Sequence, residues 1–419
     1  MTPTPFTSRE HLTRRRLLGT ALAAGVAAPL TVAGSAWAAS GAAGAVGTPG
    51  APSAAGASSA SGAAQLTLPR PTGPHPVGVV PLHLVDPARP DPLAGPGHFR
   101  ELMVSVWYPA RDVAGYPRAP WLEAGVLQQL LASAGFPADA VAAPLTDGHQ
   151  GAPVRRTGRR LPVVVYSHGA HSHRGDTTVV VQELASHGYV VVTVGHTYDT
   201  FVQFPDGRIL APVFDRRYPM GPAQCADDLR FVLDCVDQLA AGHNPDADHR
   251  ALPTGLAGAV DPQRIGVFGW SKGGTAAALT TIEDPRVRAG LSFDGPMQPT
   301  ITTDLDKPFM MMTAVFGRDA DPDAAEFWTH LRGWRLNIQA AGAVHSSYGD
   351  DQVLVPQLAP VVGMTAQQLQ DWIGTLDPAR AVRIQQAYPL AFFDRQLRHR
   401  GGQLLDGPSR AFPEVAFLP

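Results

Sequence analysis

The sequence is short of cysteine, lysine and charge. Its 419 residues include two cysteines, Cys225 and Cys235, and two lysines, Lys272 and Lys307. Two cysteines exclude a disulfide-dense scaffold and a structural zinc site built from cysteine. Charged residues make up 16% of the chain, and the formal net charge is -3. Since that balance provides no basic field, we expect no nucleic-acid partner.

Long apolar runs are also scarce, and the one such run lies near the start of the chain. Arg14, Arg15 and Arg16 precede an apolar stretch at 17–32, and Ala36-Trp37-Ala38 follows it. A basic segment, an apolar segment and small residues at the end are typical of an export signal. The adjacent arginines predict the twin-arginine route. We therefore expect residues 1–38 to be a cleaved signal and the protein to be secreted, with a membrane anchor as the alternative.

The next segment has almost no side chains that could build a core. Residues 39–64 are nearly all Ala, Gly and Ser and carry no charge. Such a segment buries too little surface to offset its ordering entropy, so it predicts a disordered linker. One folded domain is then expected over residues 65–419.

Strand and helix patterns alternate along that domain. Apolar, β-branched runs predict strands at 77–84, 101–108, 161–166, 189–194, 264–268, 288–293, 308–313 and 336–340. Helical spacing predicts helices at 177–187, 223–241, 273–282, 324–331 and 379–398. This order predicts the α/β class, with a mostly parallel eight-stranded sheet covered by helices on both faces.

The fifth predicted strand runs directly into Gly269-Trp270-Ser271-Lys272-Gly273, and a helical pattern follows. A G-x-S-x-G sequence between a strand and a helix is the nucleophile turn of the α/β-hydrolase fold. The turn holds the serine hydroxyl exposed at the carboxyl edge of the sheet, and glycines allow the close approach of neighbouring chain. Ser271 is therefore the predicted nucleophile.

A nucleophilic serine needs a histidine base, which in this fold follows it in the chain. The candidates are His330, His345 and His399. His330 and His399 fall within polar helical patterns, whereas His345 follows the last predicted strand. A loop after a strand at the carboxyl edge suits the base, so His345 is the predicted base.

Two aspartates are candidates for the acid that orients this histidine. Asp294 ends the sixth predicted strand, and Asp319 follows the seventh. The local sequence does not separate them.

The oxyanion hole of such a site needs two backbone N–H donors. Lys272, the residue after the nucleophile, is expected to supply one, and Ala170 in the loop after the third predicted strand the other. His168, His171 and His173 in that loop have the composition of a metal cluster. No carboxylate or cysteine completes a set at recognised spacing, so we expect neither a metal nor an organic cofactor.

Several segments resemble the platelet-activating factor acetylhydrolase family over roughly residues 72–415. The similar segments are 100–110, Ser167-His168-Gly169, 184–189, 231–234, the interval from Ser271 to Asp294, and Val344-His345 with Tyr348 and Asp350. The resemblance implies a serine esterase that cleaves short or oxidised acyl esters of phospholipid-like substrates through an acyl-enzyme. It also implies Asp294 as the acid.

The neighbours of the nucleophile depart from the family, which usually has His before it and an apolar residue after it. Here these are Trp270 and Lys272. Trp270 and His168 are expected to line the substrate pocket, and the bulky indole predicts a preference for acetyl to butyryl esters. A broad carboxylesterase, lipase or polyester hydrolase is the alternative activity, and a non-catalytic binding protein on this scaffold is a third hypothesis.

One further amphipathic pattern covers residues 121–135, with leucines and Val126 on one face. It predicts either a cap packed on the core or a lid that makes transient contact with a lipid surface.

Overall fold

The computed structural model describes residues 64–156, 158–215 and 217–419. The predicted signal sequence and nearly all of the predicted linker lie outside these residues. Within them, no helix combines the length and the apolar character needed to cross a membrane.

The strands of the described chain are numbered in chain order. They are β1 (Ala64–Gln65), β2 (Val77–Pro90), β3 (Phe99–Pro109), β4 (Arg118–Pro120), β5 (Val141–Ala142), β6 (Leu145–Gln150), β7 (Leu161–Ser167), β8 (Val190–Gly195), β9 (Val202–Gln203), β10 (Ile209–Leu210), β11 (Val260–Trp270), β12 (Val287–Phe293), β13 (Phe309–Thr313), β14 (Arg335–Ala340) and β15 (Val415–Leu418).

The α-helices of the same residues follow the predicted alternation. They are α1 (Ala124–Ser133), α2 (Thr178–Ser186), α3 (Pro222–Ala240), α4 (Lys272–Glu283), α5 (Pro322–His330), α6 (Asp351–Leu358), α7 (Ala366–Ile373) and α8 (Pro378–Arg398). Short 3₁₀ turns occur at His345–Tyr348 and Gln403–Leu405.

The main sheet has eleven strands in the order β15-β14-β13-β12-β11-β7-β8-β3-β2-β6-β4. The six neighbours from β14 to β8 run parallel, and β3 and β2 pair antiparallel beside them. The α/β prediction is confirmed, and the eight predicted strands form the centre of this sheet.

The sheet has three strands more than predicted. They are β15 at one end of the sheet and β6 and β4 at the other. The strand β6 has the polar sequence Leu-Thr-Asp-Gly-His-Gln, which shows no apolar alternation. The other two, β4 and β15, have three and four residues. Strands this short or this polar give no periodic signal, so the pattern of hydrophobicity does not reveal them.

The two faces of the sheet each carry a hydrophobic core. In β7, Val164 and Tyr166 belong to the core under α2 and α8, whereas Val163 and Val165 belong to the core under α3. Successive side chains of a strand point to opposite faces, so a strand covered on both sides is apolar throughout. This burial explains why β7 is a continuous apolar run in the sequence.

The amphipathic helix α1 is packed against other elements. Its buried residues Val126, Leu127, Leu130 and Leu131 form a cluster with Leu354 and Leu358 of α6, among others. In this structure the helix is packed as a cap, and a lid that contacts a lipid surface stays a prediction. The apolar face of this helix is covered by protein.

Candidate active site

The residues singled out in the sequence lie at one edge of the sheet. Parallel strands place their carboxyl ends together, and this edge is where ligands bind in open α/β sheets. The strands that end here are β7, β11, β12, β13 and β14. The residues that follow them include His168 to Ala170, Ser271, Asp294 and His345.

Ser271 occupies a tight turn between β11 and α4. Its backbone has φ 55° and ψ -125°, a conformation that residues other than glycine rarely adopt. A Cβ on Gly269 would lie 2.1 Å from the carbonyl oxygen of Gly273. A Cβ on Gly273 would lie 2.1 Å from the carbonyl oxygen of Ser167. The turn therefore requires glycine at both positions, as G-x-S-x-G predicts.

The structure brings the predicted nucleophile, base and acid into one chain of contacts. His345 Nε2 lies 2.9 Å from Ser271 Oγ, and His345 Nδ1 lies 2.6 Å from Asp294 Oδ2. Asp294 is fully buried, and the His345 side chain is 18% exposed. This is the order of contacts that a serine–histidine–acid triad requires.

The Asp294 carboxylate is fixed by backbone donors from the next strand end. It accepts hydrogen bonds from the N–H groups of Ala314 at 2.7 Å, Val315 at 3.2 Å and Phe316 at 2.9 Å. These residues follow β13, the neighbour of β12. The carboxylate is thus held on one side by the main chain, and its other side faces His345.

The alternative residues lie elsewhere. Asp319 is exposed in the loop after β13. His330 contacts Asp304 and Glu326 at the surface. His399 is the exposed, left-handed residue that ends α8.

The predicted oxyanion donors belong to the two chain segments beside Ser271. Within residues 64–419 as described, the N–H groups of Ala170 and Lys272 make no hydrogen bond.

His168 is fully buried in the loop that contains Ala170. Its Nδ1 lies 2.7 Å from the carbonyl oxygen of Gly169, and its Nε2 accepts from the N–H of His196 at 3.2 Å. Burial and the neighbouring His196 hold the pKa of His168 well below its ordinary value.

Two of the three loop histidines, His168 and His171, lie within 4 Å of Asp199, whereas His173 lies against Trp121. His168 is engaged within the loop, His171 packs on Phe214, and His173 packs edge-on against Trp121. Burial lowers the pKa of His173 to about 3. Among the residues that the structure describes, no group of three or more His, Cys, Asp or Glu side chains is arranged to hold a metal ion.

The two predicted pocket residues are both buried. His168 has no exposed surface, and Trp270 is 6% exposed. Trp270 Nε1 donates to the carbonyl oxygen of His345 at 2.7 Å, and the two rings are 4.9 Å apart. The indole thus contacts the backbone and ring of the histidine, a supporting role that the sequence did not indicate.

Two polar groups that were not predicted from the sequence support the site. His196 lies 2.9 Å from both Ser167 Oγ and Asp228 Oδ2, and Arg100 pairs with Asp228 at 2.7 Å. Burial opposes a charge on His196, but Cys225 and the Asp228 carboxylate raise its pKa to about 9. A signal existed in the sequence, because Asp228 shares the apolar face of its helix with Cys225, Leu229 and Val232.

The second group joins Lys272 to Asp199. Lys272 Nζ lies 2.5 Å from Asp199 Oδ1, and the aspartate side chain is 1% exposed. The signal here was the unexpected lysine beside the nucleophile.

The chain is similar to several known proteins. Residues 60–201 and 226–404 match the family described as platelet-activating factor acetylhydrolase, isoform II. A probable 1-alkyl-2-acetylglycerophosphocholine esterase of Arthroderma benhamiae is 27% identical, in an alignment that covers 84% of this chain and 93% of that protein. A platelet-activating factor acetylhydrolase of Cavia porcellus is 22% identical over 58% of this chain and 59% of its own.

A solved structure is also similar. The ferulic acid esterase from Streptomyces cinnamoneus is 33% identical, with a TM-score of 0.69, over 85% of this chain and all of that one. The chain therefore belongs to the platelet-activating factor acetylhydrolase isoform II family, and it is a carboxylic ester hydrolase with an α/β-hydrolase fold.

Proposed function

We propose that the protein is a secreted serine esterase that cleaves short or oxidised acyl groups from phospholipid-like esters through an acyl-enzyme. The observation that carries this proposal is the contact chain from Ser271 through His345 to Asp294. Its nucleophile stands on a strained turn, and its acid is buried.

Each member of this chain has a defined role in acyl transfer. Asp294 accepts the Nδ1–H of His345, so Nε2 is the acceptor that faces Ser271. His345 takes the serine proton as Oγ attacks the ester carbonyl, and then gives it to the leaving alcohol. The N–H groups of Lys272 and Ala170 stabilise the tetrahedral oxyanion. Water, deprotonated by His345, then hydrolyses the acyl-enzyme and releases the acid.

The names of the relatives support an acetyl-type substrate. The fungal relative, which this chain matches over nearly its whole length, is named for a 2-acetyl glycerophosphocholine ester. Trp270 and Phe316 both pack on the ring of His345. We propose that these rings restrict the space beside the reacting carbon, so that activity is highest on acetyl to butyryl esters and declines with longer chains.

A second candidate substrate is an ester of an aromatic acid. The relative of known structure is named a ferulic acid esterase. Its sequence identity to this chain is 33%, compared with 27% for the relative from Arthroderma benhamiae. The aromatic rings around His345, with the exposed Phe214 on His171, suit an aromatic acyl group as well as a short one.

The test is a panel of esters supplied to the purified enzyme and to Ser271→Ala. The panel holds an sn-2 acetyl phospholipid, an sn-2 palmitoyl phospholipid, a long-chain triglyceride and methyl ferulate. We expect the enzyme to prefer the acetyl phospholipid, whereas a preference for methyl ferulate would support the second candidate substrate.

A fluorophosphonate should label the wild type and not Ser271→Ala. Absence of wild-type labelling would overturn the serine mechanism.

Secretion is the part of the proposal that depends on residues 1–38. Its support is the order of arginines, apolar residues and Ala36-Trp37-Ala38 in the sequence.

A further inference from the structure

The side chain of Lys272 does not point into open solvent. It is 12% exposed, and its ammonium group lies 2.5 Å from Asp199 Oδ1. The same group donates to the carbonyl oxygen of Met220 at 2.8 Å. The residue that follows the nucleophile is thus attached, through its side chain, to the loop after β8.

Asp199 also contacts the loop that holds the second oxyanion donor. Its Oδ2 accepts from the N–H of His171 at 3.4 Å and lies 3.7 Å from His168 Nδ1. Its carbonyl oxygen lies 3.1 Å from His171 Nδ1. Ala170 lies between these two histidines. One carboxylate therefore contacts both segments from which the proposed donors come.

The segment that carries Asp199 is itself firmly held. The N–H of Asp199 donates to the carbonyl oxygen of His196 at 3.0 Å. The ring of His196 is fixed between Ser167 and Asp228, and the Tyr198 hydroxyl donates to Asp91 at 2.9 Å. Asp199 is therefore a fixed point to which the two neighbouring segments are attached.

A buried ion pair is an expensive way to gain stability, because both charges must leave water. Its advantage is geometric, since it fixes the distance between the two segments that it joins. That distance matters in an oxyanion hole, where both donors must lie 2.7–3.1 Å from the developing charge.

We propose that Asp199 is a positioning residue for ester hydrolysis, which holds the Ala170 and Lys272 N–H groups at the spacing that the oxyanion needs. This inference rests on the proposed function. Without the pair, the loop and the helix can separate while both backbone donors remain present. Loss of one donor lowers kcat by about 10²–10³ in a comparable site, so a displaced donor should lower it by about 10–100-fold.

The experiment compares Asp199→Asn, Lys272→Met and the double variant with the wild type. Asp206→Asn is the matched control, since Asp206 pairs with Arg208 on an exposed loop nearby. For each protein, kcat and KM are measured on p-nitrophenyl acetate, and the inhibition constant is measured for a trifluoromethyl ketone that adds to the serine. The ketone adduct carries an oxyanion, so its affinity reports the spacing of the donors.

The expected result is a 10–100-fold fall in kcat in both single variants, with KM changed by less than about threefold. The inhibition constant should rise by the same factor as kcat falls. The double variant should be no worse than the poorer single variant, because the pair acts as a unit. It leaves no unpaired charge, so it tests the pair even where a single variant is too unstable to assay.

Two outcomes would overturn the inference. If the double variant kept kcat and the ketone inhibition constant within threefold of the wild type, Asp199 would have no positioning role, although esterase activity would stand. If the wild type neither hydrolysed the ester nor reacted with a fluorophosphonate, the proposed function and this inference would fail together.

Discussion

Both carboxylate oxygens of Asp294 are engaged. Three backbone N–H groups and the Nδ1–H of His345 donate to this carboxylate. The amide of an asparagine at this position would have only one oxygen to accept these hydrogen bonds. We expect Asp294→Asn to lower kcat by up to about 10⁴, because the amide favours the wrong imidazole tautomer. The measurement is kcat on p-nitrophenyl acetate, with circular dichroism to show that the fold is retained.

The control for that variant is Asp319→Asn, in which the same change is made on an exposed loop. It should alter kcat by less than about twofold, since surface substitutions away from such a site have small effects. A larger loss in Asp319→Asn than in Asp294→Asn would assign the acid to Asp319.

The choice between these two residues shows what the sequence could and could not predict at this scale. Ser271 follows from a motif, because few residue combinations permit its backbone conformation. Asp294 and Asp319 both follow strands that end at the same edge, so local sequence does not distinguish them. The distinction depends on strand order, since β12 neighbours β11 and β13 does not. The resemblance to the family supplied that information indirectly.

At the scale of elements, α3 carries a buried carboxylate, Asp228, that contacts three basic side chains. Asp228 is fully buried and pairs with Arg100 and Arg89, while His196, the residue after β8, also contacts it. Asp228→Asn leaves Arg100 and His196 without a carboxylate partner, whereas Arg89 keeps Asp86. It should therefore lower the free energy of unfolding by about 3–5 kcal/mol. Urea-induced unfolding would measure the loss.

The same helix offers a matched control for this prediction. Asp237 also pairs with an arginine, Arg286 at 2.7 Å, but its side chain is 44% exposed. Asp237→Asn should change the free energy of unfolding by less than about 1 kcal/mol. Equal effects of the two substitutions would show that burial of the Asp228 pair is unimportant.

The loop between β7 and α2 contains a carboxyl group with an unusual proton affinity. Burial raises the pKa of Asp176 from 3.8 to about 8, although hydrogen bonds from Ser172 and Tyr166 oppose the rise. Between these two values the folded chain keeps a proton that the unfolded chain has lost. Stability should therefore fall as pH rises from about 4 to 8, by up to about 1.4 kcal/mol per pH unit.

Asp176→Asn removes this contribution, because an amide does not titrate. The free energy of unfolding of the variant should fall less steeply than that of the wild type over the same pH range. Urea unfolding at pH 5, 6, 7 and 8 would compare the two slopes. Parallel slopes would mean that the buried carboxyl is ionised throughout.

The sequence predicts an element correctly where burial on both sides makes a long apolar run, as in β7 and β8. Two short helices of the structure were not predicted. The helices α6 and α7 have eight residues each, and Pro356 interrupts the pattern of the first. The second is preceded by Thr365, which forms a capping box with Gln368, so a start signal was present without enough periodicity behind it.

At the scale of the whole molecule, the first prediction concerns export. Replacing Arg14, Arg15 and Arg16 together with lysine should block secretion, because the twin-arginine export machinery recognises the paired arginines. The measurement is the amount of enzyme in the medium and in the cell fraction, with Ser271→Ala as a control that should be exported normally. Normal secretion of the triple variant would contradict the predicted route.

The two buried thiols have a consequence for where folding can take place. Cys225 and Cys235 both lie on α3 and are unpaired, and they are the only cysteines of the chain. Folding therefore consumes no oxidant and should reach completion in a reducing compartment as readily as in an oxidising one. We expect the same Tm in excess dithiothreitol as in air-equilibrated buffer, measured by scanning calorimetry. A Tm that fell on reduction would mean that the native state depends on an oxidised sulfur.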